Sequence, residues 1–495
     1  MITGKMITYQ DYENAPDKTK FVQEAITKYR RSKEFKKAQE EQEYMAGRNT
    51  AILNTRRIIY DMRGIPCEDF TAANFKIRNR MIHRLVTDRC SYSLGNGVSF
   101  SDHREKTKNA DGKTVTVDKT KEELGDGFDQ AVYQWAYWAL SNGAAFLYVH
   151  VGHDTEEWQY SLFKRTEFMP LYDEKTGALR GGIRFWSIDW GKKPITAVLY
   201  AETGYTRYET PTNRYSISDL EETQEEQKYT ETVQQSEAYG EEVVGTENFS
   251  TLPIFPLYSG ENRDSALDIL KPLIDAYDMI LSGFANDLQD CAQIYWLISG
   301  AMGMTEPQKK QMLDRLVLQH MLVIDGENSS ITPHTQEIPY NARNEGLKQV
   351  RNQMYENYGG FDVHTIEAGS TNDHIEAGYW PMDEEADAFE YQLIVAIQQI
   401  LDMIGIEDVP VFKRNRVSNQ KEQTDMVLAA DFLDTRTKLE KLPWITVDEV
   451  DDIMARIDGE EQVRFEKDMA KALEEAEKQT EEEDDQDDQD KEDEV

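Results

Sequence analysis

Cysteine is scarce: Cys67, Cys90 and Cys291 are the only three in 495 residues, odd in number and far apart. That excludes a disulfide scaffold or a cysteine-rich zinc site and fits a reducing compartment. Basic residues are also short, 55 against 93 acidic ones, for a net charge of −38. Phosphate attraction supplies most of the affinity of a sequence-reading DNA binder, so a chain of this sign is not one of the usual basic kind. Long apolar runs are missing as well. The nearest approach, 130–153, holds no Asp, Glu, Lys or Arg, but Gln134, Ser141, Asn142, Gly143, His150 and Gly152 interrupt it. A bilayer span needs about 20 predominantly apolar residues. The stretch therefore reads as a helix over 127–140, an Asn-Gly turn and a buried strand over 144–151. The start of the chain lacks the basic-then-apolar layout of a signal peptide, and a soluble protein is expected.

Catalytic signatures are absent too: there is no HExxH, GxSxG, CxxC or Rossmann glycine motif. Asp111-Gly112-Lys113-Thr114 resembles a phosphate-binding loop, but Thr107 stands where that motif needs its first glycine, so it reads as a hairpin tip. His150 and His153 are three apart at a strand end, a spacing that points them to opposite faces. Acidic pairs such as Asp287/Asp290 and Glu384/Asp387 arise by composition in so acidic a chain. No catalytic, cofactor-binding or metal-ligating residue is assigned, and neither an enzyme nor a cofactor is expected.

What is present suffices for a core. Hydrophobic residues make up 39% and aromatic residues 10%, and the length is about three times that of an average domain. Two stretches carry half of the net charge: 219–247 has ten acids and one lysine, and 481–495 has eleven acids and one lysine. Both are expected to be solvated, the first as a mobile loop and the second as a disordered tail. Residues 21–47 read as charged helix lying in solvent or on a neighbour. A helix is predicted over 75–94, ended by Gly95-Asn96-Gly97. Short β-branched or aromatic runs at 158–163, 182–186, 196–200 and 205–208 predict an antiparallel meander.

The second half is mostly helical. Leu267, Leu270, Ile274, Tyr277, Leu281, Phe284 and Leu288 alternate spacings of three and four, a narrow stripe that seeks a helical neighbour inside the chain or in another subunit. Pro272 places the start of that helix near itself. Strands at 293–299 and 321–324, a proline-led helix from Thr305, a helix over 341–358 ended by Gly359-Gly360, a helix through Phe389, Leu393, Ile397, Ile400 and Ile404, and a capped helix from Thr446 complete the reading.

The order of elements from about Leu252 resembles the portal (head-to-tail connector) proteins of long-tailed double-stranded DNA bacteriophages. Leu252-Pro253-Ile254-Phe255-Pro256-Leu257 carries the likeness, then Ala266-Leu267-Asp268-Ile269-Leu270-Lys271-Pro272-Leu273-Ile274-Asp275-Ala276-Tyr277-Asp278 with Ser282 and Asn286-Asp287 beyond it. Leu433-Asp434-Thr435-Arg436-Thr437 and Leu442-Pro443-Trp444-Ile445-Thr446 resemble the family's C-terminal segment. The likeness covers most of 50–460. At the exit of the tunnel loop the chain departs from the family, reading Ser370-Thr371-Asn372-Asp373-His374.

The resemblance implies an α+β, elongated portal-type subunit. A charged segment (1–49) precedes an α+β wing (50–264, continued at 372–405). Stem helices (265–290 and 340–358) flank a small α/β clip (291–339). A tunnel loop (359–371), a helical crown (406–480) and the acidic tail (481–495) complete it. It implies a homo-oligomeric ring, usually of twelve subunits, at one capsid vertex, made in the host cytoplasm and carried in the virion. Its partners would be the terminase large subunit, a head-completion or adaptor protein, the major capsid and scaffolding proteins, and double-stranded DNA in transit without sequence specificity, with no membrane. Leu270, Ile274, Tyr277, Leu281, Phe284 and Leu288 would form the stem interface. Lys309, Lys310 and Arg315 would meet partners at the clip, with solvated lysines as the plain alternative. Gly359, Gly360, His364, Glu367, Ser370, Thr371 and Asn372 would form a mobile loop touching DNA, unless Phe361, Val363 and Thr365 mark a short buried strand. An acidic adaptor or scaffold without a channel, or a metal-dependent enzyme, remain the alternatives from sequence.

Overall fold

The computed structural model describes residues 7–60, 63–70, 72–108, 114–152, 157–236, 240–290, 295–299, 305, 307–308, 310–311, 330–334, 340–365, 372–416, 420–430 and 433–442, with scattered positions from 450 to 469. It is a mixed α+β protein that divides into two compact units. The first holds Met1–Asp102, Thr120–Asp362 and Tyr379–Asn415, and the second holds His103–Lys119, Val363–Gly378 and Arg416–Val495.

The first unit is built around two sheets. Strands Phe168–Tyr172, Leu179–Trp186, Thr196–Ala201, Gly204–Glu209 and Glu221–Gln227 form an antiparallel meander in sequence order. Strands Ile254–Tyr258, Ala144–Val151 and Trp158–Lys164 form a second sheet with Ala144–Val151 in the middle. The meander is covered on both faces, and the strand period of two decides which residue goes where. Ala197, Leu199 and Ala201 pack with Val22, Ile26, Tyr29 and Phe35 of the helices Lys18–Arg31 and Lys33–Met45. Val198 and Tyr200, one residue out of phase, pack with Phe146, Phe163 and Phe168. The N-terminal helices are thus part of a core and not a solvated charged segment. A third cluster joins Met81–Leu94, Phe128–Asn142, the start of Ala266–Asp290, the end of Tyr340–Tyr358 and the Phe389–Leu401 part of Asn372–Ile404.

Several expectations hold closely. The helix, turn and strand read from 127–151 are Phe128–Asn142, Gly143 with φ of 73° and Ala144–Val151. Others are corrected. The stretch 219–247 is not a loop: Glu221–Gln227 extends the meander, and Thr230–Ser236 pairs with Gly240–Glu247. Its acids are interspersed with Thr and Gln, and Glu221, Glu222, Glu225 and Glu226 are exposed, so the edge strand keeps its carboxylates in water while its backbone is paired. Tyr229 anchors the turn between them, its hydroxyl donating to Ala201 O at 2.7 Å. The helix through Pro272 begins at Ala266, one turn and more before the proline. Ser265 and Asp268 cap it reciprocally, with Ser265 N to Asp268 Oδ2 at 2.8 Å and Asp268 N to Ser265 Oγ at 3.3 Å. The helix expected over 75–94 begins only at Met81. The last long helix begins at Asn372, well before Phe389.

The second unit contains the hairpin Arg104–Lys108 with Thr114–Asp118, whose expected tip at Asp111-Gly112 lies outside the described residues. It also holds helices Gln420–Ala429 and Thr435–Lys441, the latter capped by Asp434 accepting from Thr437 N. Residues 321–324, most of the helix read from Thr446, and 481–495 lie outside the described residues.

Candidate functional site

Residues 75–79 stay extended because the neighbouring helix takes their amides. Asp278, Ser282 and Asn286 stand four apart on Ala266–Asp290. Asn79 N donates to Asp278 Oδ1 at 2.9 Å, Ile77 N to Ser282 Oγ at 2.9 Å and Phe75 N to Asn286 Oδ1 at 2.7 Å. Four helical residues rise about 6 Å and two extended residues about 6.6 Å, so every second amide meets every fourth side chain. Asn49 Nδ2 also donates to Asp278 Oδ2, at 2.5 Å. Burial pushes the Asp278 carboxyl up, against these hydrogen bonds, which lower it.

The apolar stripe of the same helix changes character along its length. Leu267, Leu270 and Ile274 are buried in the chain's own core. Leu270 and Ile274 are therefore removed from the expected subunit interface: intrachain helices already cover them. Tyr277, Leu281 and Phe284 are half-buried, and Leu288 is 54% exposed. Tyr340–Tyr358 runs back alongside: the Phe284 and Tyr340 rings lie 5.8 Å apart, Arg343 pairs with Asp287, and Tyr277 and Met354 line one cleft. Its burial has the same gradient, from exposed Tyr340 to buried Met354 and Tyr358.

The base of the expected tunnel loop is anchored, which corrects the mobile stretch 359–371 at its start. Gly359 has φ of 64°, and a Cβ there would stand 2.6 Å from Glu385 Cγ. Only glycine avoids both the strain and the clash. Arg89, nearly buried, donates to Tyr358 O, sits 4.0 Å over the Tyr358 ring and pairs with Glu385 at 3.3 Å. The Phe361 ring lies 4.4 Å from Tyr379, which stacks on Tyr92 at 5.5 Å. Asp362 accepts from Arg351 at 2.7 Å. Beyond it Val363–Thr365 form a short turn with His364 exposed, where a buried strand was the alternative. Glu367, Ser370 and Thr371 lie outside the described residues, and Asn372 is the first residue of a helix.

At the expected clip, Tyr295–Ser299 pairs antiparallel with Ser330–His334, and Lys310 is exposed. Lys309 and Arg315 lie outside the described residues. Among the described residues no group of three or more His, Cys, Asp or Glu is placed to hold a metal ion, and no helix is long and apolar enough to cross a membrane.

Sequence reasoning missed Arg89 and Arg414. Arg414 pairs with Glu390 at 2.8 Å and contacts Asp387, which raise its own pKa further, and it also pairs with Asp383 at 2.9 Å. The signal was there: acids at 383, 387 and 390 repeat at helical spacing, so one cation can bridge them.

The organised features among the described residues are thus helix surfaces, a polar ladder and an anchored loop base. The model of the family "Phage portal protein, SPP1 Gp6-like" matches residues 25–487. The chain belongs to that family of phage portal proteins, structural components that form the DNA-passage connector and not enzymes. A portal protein of Clostridium phage phiCD119 is 22% identical over 74% of this chain and 82% of its own length. The portal protein of Bacillus phage SPP1 is 23% identical over 69% of this chain, which spans 64% of that relative's length, just under two thirds. Among solved structures, a chain from the virion of a native gene transfer agent particle aligns at 10% identity and a TM-score of 0.41, over 72% of this chain and 87% of that one.

Proposed function

We propose that this chain assembles into a ring, of twelve copies by analogy with the family, at one vertex of the virion capsid. Ala266–Asp290 and Tyr340–Tyr358 act as its stem, 291–339 as the clip, 363–371 as the loop reaching the channel, and 406–480 as the crown. The observation that carries this reading is the gradient along the paired helices. Apolar side chains continue at the same spacing past the point where the chain's own core stops covering them. Leu281, Phe284 and Leu288 are left for a neighbouring subunit, and burial of each is worth roughly 1.5–3 kcal/mol, repeated at every interface.

The net charge of −38 suits a conduit that passes DNA without holding its phosphates, with local basic groups as exceptions. Lys310, and Lys309 and Arg315 beside it in sequence, are assigned to the terminase large subunit or a head-completion protein. The major capsid and scaffolding proteins would surround the wing. Double-stranded DNA would be in transit only. Electron microscopy of the purified protein tests the central claim: rings with a central hole are expected, and a monodisperse monomer or dimer would refute it.

A further inference from the structure

Residues 28–37 hold six basic side chains and one acidic one, in a chain of net −38. The fold turns this segment into a fixed ridge. Ser32 ends Lys18–Arg31 and caps Lys33–Met45: its N–H donates to Tyr29 O at 2.9 Å, and its Oγ accepts from Phe35 N at 3.1 Å. Tyr29 and Phe35 are buried against each other and against Phe185 of the meander, with ring centres 5.6 to 6.2 Å apart. With the aromatic side chains turned inward, Arg31, Lys33 and Lys36 are exposed.

A second basic element comes to the ridge from far along the sequence. Residues 187–195 join Leu179–Trp186 to Thr196–Ala201, and the Arg30 guanidinium lies 4.4 Å over the Trp190 ring of that loop. Lys192 N and Lys193 N both donate to Asp189 O, at 3.0 and 2.9 Å, which closes the tip and leaves both lysine side chains exposed. Local acids are already engaged. Glu24 pairs with Lys28 at 3.8 Å, Glu34 with Arg165 at 3.4 Å, Glu40 with Lys271 at 2.6 Å and Asp189 with Lys192 at 3.6 Å. Arg30, Arg31, Lys33, Lys36 and Lys193 have no carboxylate partner among the described residues. Like charges held side by side raise the local potential and favour an anionic partner.

The polyanion that this family's connector passes is DNA. The phosphates of a duplex form a continuous line of charge, which exposed lysines and arginines can meet without a shaped pocket or a base contact. We infer that the ridge of Arg30, Arg31, Lys33 and Lys36, with Lys193 of the loop, binds the phosphate backbone of duplex DNA without reading its sequence. This contact lies outside the expected tunnel loop. It rests on membership of the family and not on the ring, because all five cations belong to one subunit.

Fluorescence anisotropy of the full chain with a short labelled duplex tests it. Neutralising five phosphates gives a slope of log K against log salt of about −4.5, a loss of about 500-fold between 50 and 200 mM. Arg31→Gln, Lys33→Gln and Lys36→Gln combined should keep the thermal midpoint and cut the slope to about two-fifths of wild type, however many subunits the duplex meets. Arg78→Gln with Arg80→Gln, an exposed basic pair elsewhere, should leave the slope unchanged. Ile188→Ser should leave it unchanged too, although Ile188 is 91% exposed at the loop tip. A wild-type slope in the triple variant, or no duplex binding by wild type at the lower salt, would overturn the inference. Binding lost in Ile188→Ser would overturn it in favour of an acidic protein partner that needs an apolar contact. Microscopy of the same samples reads the ring separately: binding without rings would refute only the ring, and rings without binding only this surface.

Discussion

Two halves of the Ala266–Asp290 helix carry the same apolar spacing and have different surroundings. Over the first half, Leu267, Leu270 and Ile274 are enclosed by helices of the same chain. Over the second, Tyr277, Leu281 and Phe284 are only half covered and Leu288 is mostly exposed, while Asp278, Ser282 and Asn286 beside them are fully engaged by 75–79. Periodicity therefore states that a helix needs a neighbour, but it does not say whose. The polar ladder holds the second half in place without enclosing its stripe, which leaves that stripe open to a second subunit.

The sharpest way to break the contrast is to place a charge in each half. Leu270→Asp is expected to cost about 4 kcal/mol or more, since it empties a packed site and buries an ion. Loss of a cooperative thermal transition would show it. Leu281→Asp with Phe284→Asp should leave the fold intact, with a thermal midpoint within a few degrees of wild type, and release soluble monomers in mass photometry. Unchanged rings would remove these residues from the interface.

A smaller effect isolates the ladder. Asp278→Ala leaves the donors of Asn49 and Asn79 without their carboxylate and is expected to cost about 2–3 kcal/mol, Ser282→Ala about 1 kcal/mol. Hydrogen exchange at the Asn79 and Ile77 amides would speed up in the respective variants. Slow exchange in both would mean that packing alone holds 75–79 extended.

The smallest expected effect lies in the buried half's own surroundings. Glu41 is fully buried, its Oε2 accepts from Asn142 Nδ2 at 2.8 Å, and burial pushes its carboxyl up. A raised acid binds its proton more tightly when folded. Its contribution to stability is therefore greatest below the unfolded value of about 4.3 and is lost as pH rises through the folded one. Glu41→Gln should flatten that part of the pH profile and change stability at low pH by less than about 1 kcal/mol, read by denaturant titration at several pH values. A profile identical to wild type would mean that Lys37 and Asn142 hold the ion without penalty.

Much of the fold was legible because local chemistry leaves few options. Asn142-Gly143 ends a helix and starts a strand, and glycine takes the required positive φ there. The meander strands announce themselves by β-branched and aromatic runs. Three features were hidden for physical reasons. Backbone pairing in 221–247 needs no apolar side chains, so composition alone suggested a loop. The start of the helix at Ala266, ahead of Pro272, is marked by the reciprocal cap of Ser265 and Asp268, a side-chain pairing that the proline alone does not reveal. The extended state of 75–79 depends on acceptors some two hundred residues away, beyond the reach of any local pattern.

The candidate site divides the same way. Sequence alone determined that the chain is acidic, offers no catalytic motif, carries a stripe seeking a helical partner and follows the element order of a portal subunit. All of these are properties of residue type and spacing along one segment. Only the tertiary structure decided that Leu270 and Ile274 face inward, that Gly359–Asp362 is anchored by Arg89, Arg351 and Tyr379, and that Leu288, Tyr60, Phe70 and Trp380 are left exposed. Burial is a property of what lies on the other side of a side chain. That neighbour is chosen by packing of segments distant in sequence, so no single segment can specify it.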